Sequence, residues 1–208
     1  ETCEVGAAAS YRHAVAAPSE EALVRLQSLV EASERPLVVV GGGGWTAAAC
    51  DSMRRFAATF AVPVAAGFRR QDLFDNSHPN YVGSLGLGVD PKLADMVRRS
   101  DLLLVLGERM GDTTASGYEL IDIPRPRQTF VHVHPGPEEL GILYHGDLLI
   151  NATMPDVAAA LAKLRPAGAP DRAGWIADGR RNYEQSSTPR PTDLAISVGH
   201  IVQHLRET

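Results

Sequence analysis

Cysteine is scarce here, 2 in 208 residues, and its scarcity removes several classes of protein at once. Cys3 and Cys50 are too few for a disulfide framework, and neither stands in a Cys-x-x-Cys pair or beside a metal partner. They read as two reduced thiols, the usage of a cytoplasmic protein. No apolar run approaches the ~20 residues of a membrane span, and Glu1-Thr2-Cys3-Glu4 does not open a signal peptide, so no membrane partner is expected. A basic stripe is missing too. The 20 Lys and Arg are dispersed and outnumbered by 25 Asp and Glu, for a net charge of −5, which argues against nucleic acid as a partner. No Gly-Lys-Ser/Thr completes a P-loop, and no Gly-x-Ser-x-Gly elbow presents a hydrolytic serine. An initiating Met is also lacking, which hints at a piece of a longer chain.

What remains fits one α/β domain with attached segments. The first 18 residues are Ala-rich and end at Pro18, an arm or linker. Ser19 caps a helix carrying Leu23, Leu26, Leu29 and Val30 at helical spacing, with Glu20 and Glu21 in its first turn. Leu37 to Val40 and Leu102 to Leu106 are unbroken apolar runs, the pattern of strands covered on both faces. Shorter strands are predicted at Val62 to Ala65, Tyr81 to Gly83, Thr129 to His134 and Leu148 to Asn151. Helices are predicted at Thr46 to Phe60, Pro91 to Arg99 and Pro155 to Leu164. Strand, glycine, helix recurs throughout. The expectation is a Rossmann-like doubly wound, six-stranded, mainly parallel sheet over residues 19–165, with helices on both faces.

Residues 166–208 read as a linker and a helical tail. The tail has two pieces, Arg172 to Tyr183 and Thr192 to Leu205, with no strand of their own to cover, as if a further domain began there.

Gly41-Gly42-Gly43-Gly44 lies between a strand and a helix, where backbone amides can approach a phosphate. The dinucleotide fingerprint needs a third glycine where Thr46 stands and an acidic residue closing the next strand, which instead ends Ala65-Ala66-Gly67. Dehydrogenase-type NAD binding is therefore disfavoured, and a sharp turn with close helix packing accounts for the glycines equally well.

In its context the loop becomes more specific. Arg35 to Gly43, Val62-Pro63-Val64, His78-Pro79, Gly83 with Gly86, Ser100 to Arg109 and Val131-His132-Val133-His134 together resemble the central domain of thiamine-diphosphate enzymes, most of all the acetolactate synthase branch. The resemblance spans Ser19 to Leu164. It implies a parent enzyme of three α/β domains, acting on 2-keto acids by C–C bond cleavage or formation, assembled as a homodimer or homotetramer. In that family the first domain supplies a Glu to the cofactor, and the third binds thiamine diphosphate through Mg²⁺ with a Gly-Asp-Gly motif. Gly146-Asp147-Leu148, Gly111-Asp112-Thr113 and Asp178-Gly179-Arg180 all fail that test. The partners would be N- and C-terminal domains, and this stretch alone would not be catalytic.

The resemblance further implies FAD, ADP or nothing in the central-domain crevice. The matching nucleotide contacts are Gly41, Gly42, Gly43, Ala66, Gly67, Gly86 and Arg109, the last able to fork onto a phosphate. Two departures stand out. The family's Ile-Asp-Ile-Asp reads Val131-His132-Val133-His134, and the branch's Phe-Asp-Asp-Arg reads Met110-Gly111-Asp112-Thr113, which points away from acetolactate synthesis itself. The alternative is a stand-alone FAD-, ADP- or NAD-binding Rossmann-type module.

His132 and His134 alternate to one face of their strand, but no third ligand accompanies them, so they are assigned to a loop edge or an interdomain contact rather than to a metal. The hydroxyl-rich Asp112 to Gly117 is read as turn chemistry, and Glu138 and Glu139 as first-turn residues after Pro137.

Overall fold

The structure is a computed structural model that describes residues 15–168, 170–189, 192 and 196–208. Most of the expected N-terminal arm, Cys3 included, lies outside the described residues, as does part of the Pro189-Arg190-Pro191 separator.

The six expected strands form one sheet: β1 (Pro36–Val40), β2 (Val64–Ala66), β3 (Tyr81–Ser84), β4 (Leu102–Leu106), β5 (Thr129–His134) and β6 (Leu148–Asn151). Their spatial order is β3-β2-β1-β4-β5-β6 and every pairing is parallel. The central pair β1 and β4 run in register from Pro36 opposite Leu102 to Val40 opposite Leu106, and all ten residues are buried. A strand buried on both faces has no polar side to present, which is why these two runs are purely apolar.

Alternate residues feed two cores. Val38, Val40, Leu104 and Leu106 face one with α1 (Glu20–Ala32), α2 (Ala47–Thr59) and α4 (Met154–Leu161), while Leu37, Val39, Leu103 and Val105 face the other with α3 (Pro91–Arg99). Ser19 and Thr46 cap α1 and α2 by accepting from the amides of Ala22 and Ala49. Pro91 opens α3 behind the Asp90 cap.

The regular alternation expected of the sequence is not complete. Residues 107–128, between β4 and β5, form an irregular loop rather than a helix, and β2 reaches β3 through a short 3-10 turn at Gln71–Leu73. Gly111, Gly117, Pro124 and Pro126 leave no uninterrupted helical stretch, and Met110, Ser116 and Tyr118 take left-handed backbone angles.

The tail also differs from expectation. The helix α5 (Ala173–Ser187) does have a strand to cover, because it packs on β3 and α3. Gly179 is the contact point: a Cβ there would come within 2.7 Å of Val82 and 2.9 Å of Met96. Trp175 Nε1 donates to Pro36 O at 2.8 Å, and Tyr183 meets Tyr81 edge-on with ring centroids 4.9 Å apart. Arg172, just before α5, is 1% exposed and donates to the carbonyls of Val30, Ser33 and Phe60 at the C-terminal ends of α1 and α2. Helix-end carbonyls have no partner within their own helix, so one guanidinium satisfies both ends. A last helix, α6 (Val198–Glu207), leaves Val198, Ile201, Val202 and Leu205 exposed.

Candidate functional site at the C-terminal rim of the sheet

In an all-parallel sheet every strand ends on the same rim, and the strand order reverses between β1 and β4, where such folds hold ligands. The sequence-predicted residues collect along this rim. Gly41 follows β1, Ala66 and Gly67 close and follow β2, Gly86 follows β3, and Arg109 lies just past β4. The sheet ladder ties them sideways: Gly67 N donates to Val40 O, Gly41 N to Leu106 O and Gly107 N to Val133 O, at 2.8 to 3.0 Å.

What fills the rim is Glu108, which sequence reasoning did not single out. Its carboxyl reaches from the end of β4 over β1 to β2, so that a Cβ on either Gly41 or Gly67 would lie 2.1 Å from its Oε2. The space those two glycines leave is taken by the protein's own carboxyl. Glu108 is 9% exposed, and its Oε1 accepts from Thr114 Oγ1 at 3.2 Å and from the Arg109 amide at 3.1 Å. Burial pushes this carboxyl above the usual Glu range, while the Thr114 and backbone hydrogen bonds pull it back.

Gly42 has a different reason to be glycine. Its φ is +65°, and a Cβ would fall 1.9 Å from Gly107 O, where the turns after β1 and β4 nearly touch. Gly43 is exposed with nothing near it, and Gly86 (φ +126°) packs against the Phe68 ring. Arg109 is largely exposed and pairs with Glu139 at 2.9 Å. Glu138 and Glu139 lie, as expected, in the first turn after Pro137, although that turn is a short 3-10 helix, Pro137–Glu139, rather than the start of an α-helix. Beyond Gly43 and Gly44 an apolar groove of about 580 Å³ runs between this loop and the start of α4, lined by Val15, Pro135 and Met154.

The two histidine rings are neighbours, with centroids 5.9 Å apart, but differ in burial. His132 is buried inside the sheet at 2% exposure, not on a loop edge, because β5 is an interior strand and its register places His132 beside Val105. Its Nε2 lies 2.9 Å from Glu108 O, so this nitrogen carries the proton and donates. Burial pushes its pKa down to about 4, against the opposing pull of that hydrogen bond. His134 is half-buried at the strand end and accepts from Gly136 N at 3.0 Å. Among the described residues no group of three or more His, Cys, Asp or Glu is placed to hold a metal, and no helix is long and apolar enough to cross a membrane.

At this rim the Glu108 carboxyl and the His132 imidazole are sequestered, neither presented to solvent as a nucleophile or base would be, while Glu139 pairs with Arg109 and His134 accepts from Gly136 N. The family model described as "Thiamine pyrophosphate enzyme, central domain" matches residues 23–164. The chain belongs to the thiamine pyrophosphate enzymes. It is 30% identical over 164 residues to the acetolactate synthase large subunit of Parasynechococcus marenigrum, covering 76% of this chain and 26% of that protein. An acetolactate synthase of Mycobacterium avium is 29% identical over 184 residues, 85% of this chain and 29% of the relative. A sulfoacetaldehyde acetyltransferase of Rhodobacter capsulatus is 30% identical over 160 residues, 76% and 27% respectively. The chain thus spans little more than a quarter of the length of these relatives, and the match is to the central domain.

Two cofactors are implied by the family. Thiamine diphosphate with its metal does not fit the described residues, since the sequence has no Gly-Asp-Gly motif and the rim has no acidic cluster. A nucleotide diphosphate at the switch point does not fit either, because Glu108 stands between Gly41 and Gly67.

Proposed function

We infer that this chain is the structural central domain of a thiamine-diphosphate- and Mg²⁺-dependent enzyme that cleaves or forms a C–C bond beside the keto group of a 2-keto acid. The reacting groups and the cofactor site belong to N- and C-terminal domains of the same enzyme, which works as a homodimer or homotetramer. The chain's own part is to hold those domains in register, and by itself it is not catalytic.

One observation carries the reading. The rim where such a fold presents its chemistry ends in glycine turns folded around a buried, internally hydrogen-bonded Glu108. The stand-alone nucleotide-binding alternative is not favoured, since the family match is to a central domain and the crevice is filled by a side chain.

The test is direct. The purified 208-residue chain, mixed with pyruvate, thiamine diphosphate and Mg²⁺, is expected to release no CO₂ above the protein-free control. Turnover would overturn the reading. Sequencing the reading frame on either side is expected to reveal a domain with an activating Glu upstream and a Gly-Asp-Gly domain downstream.

A further inference from the structure

Resting on that reading of the chain as a central domain, we propose that Glu108 is the residue that decides what the crevice of this domain can hold: it closes the switch point to nucleotide diphosphates. The glycines at 41 and 67, which in the sequence look like room for a ligand's phosphate, are room for this carboxyl.

Three features make the closure effective. The first is shape. The side chain crosses the ends of β4, β1 and β2, so a phosphate approaching the gap between Gly41 and Gly67 meets Glu108 before it meets their backbone. The second is chemistry, because a carboxyl held here is an acceptor where an anion requires donors, and its ionised form adds like-charge repulsion in a site shielded from water. The third is that the surrounding donors are already engaged. Thr114 Oγ1 and the Arg109 amide point at Glu108, and the amides of Gly41 and Gly67 donate to the neighbouring strands. Arg109, the cation a diphosphate would need, is paired with Glu139. Nothing in this set has to move for the fold to be satisfied. The Glu108 carboxyl has to move for a diphosphate to enter between Gly41 and Gly67.

The experiment is calorimetric titration of the 208-residue chain with ADP and with FAD, on wild type, Glu108→Ala and Glu108→Gln, each checked for folding by circular dichroism. Wild type is expected to bind neither ligand more tightly than about 1 mM. Glu108→Ala, which removes both bulk and charge, is expected to bind ADP at least tenfold more tightly, and Glu108→Gln, which keeps the shape and removes the charge, to gain less. Micromolar binding by wild type overturns the proposal, and so does a folded Glu108→Ala that gains nothing. Should Glu108→Ala not fold, Glu108→Gln is decisive: a gain supports the proposal, whereas no gain, or loss of fold in this isosteric variant too, assigns Glu108 a purely structural role and overturns it. These outcomes concern ligand binding, so they are separate from turnover by the isolated chain, which tests the central-domain reading itself.

Discussion

Arg172 and His132 show how much of this fold rests on single side chains with polar groups in dry surroundings. Arg172 donates to three carbonyls from two helix ends. Removing it leaves the Ser33 and Phe60 carbonyls without a partner, takes one of two donors from Val30 O, and opens a void. Arg172→Ala should therefore cost ~3 kcal/mol or more, read as a lower urea midpoint, whereas Arg127→Ala, at an exposed surface pair, should leave that midpoint essentially unchanged. His132 sets a pH dependence. Its folded pKa of about 4 lies below the ordinary 6.5, so between these values the unfolded chain binds a proton that the folded chain refuses. Stability from this residue is full above pH 6.5 and is lost as pH falls toward 4, to the extent of roughly 3 kcal/mol. Glu108 acts in the opposite sense. Its pKa is raised in the fold, so its protonation on acidification favours the folded chain and partly offsets the loss. His132→Gln should flatten the slope of the urea midpoint against pH in this window, and an unchanged slope would exclude His132 as its source.

At the scale of elements, α5 is the part whose role the sequence conceals. The residues that dock it are an arginine, which reads as surface charge, and Gly179, which reads as a helix weakener; only the packing reveals that one is 1% exposed and the other touches Val82 and Met96. Gly179→Ala should destabilise by ~1–3 kcal/mol through overpacking, despite the better helix propensity of Ala. Gly174→Ala, on the same helix with no neighbour in range, should be neutral or stabilising by up to ~1 kcal/mol. Thermal melts of the two variants separate packing from propensity within one element. By contrast β1 and β4 were fully legible, since a strand buried on both faces admits only apolar residues and so leaves an unbroken run. The second strand is displaced from its predicted position: Val62-Pro63 is apolar, but Pro63 has no amide to donate and only its carbonyl joins the sheet edge, to Val38 N, so β2 starts at Val64. Glu108 was hidden for another reason. Its reach from β4 across β1 to β2 depends on strand order, which no local pattern encodes.

For the molecule as a whole, one parallel sheet with two cores and a single rim accounts for the family resemblance, and the way the rim is filled accounts for its departures. The glycine turns line the rim, His132 and His134 lie at the end of β5, and the crevice holds Glu108. Because α5 and Arg172 close one side of the sheet, deleting residues 169–208 should abolish cooperative unfolding, whereas removing only 189–208 should leave the melting transition within a few degrees of the intact chain. The proposed function gives this domain a scaffold role and no part of a cofactor site. Calorimetric titration of thiamine diphosphate with Mg²⁺ into the 208-residue chain decides this: heats no larger than dilution are expected, and a saturable isotherm with micromolar affinity would refute the scaffold role.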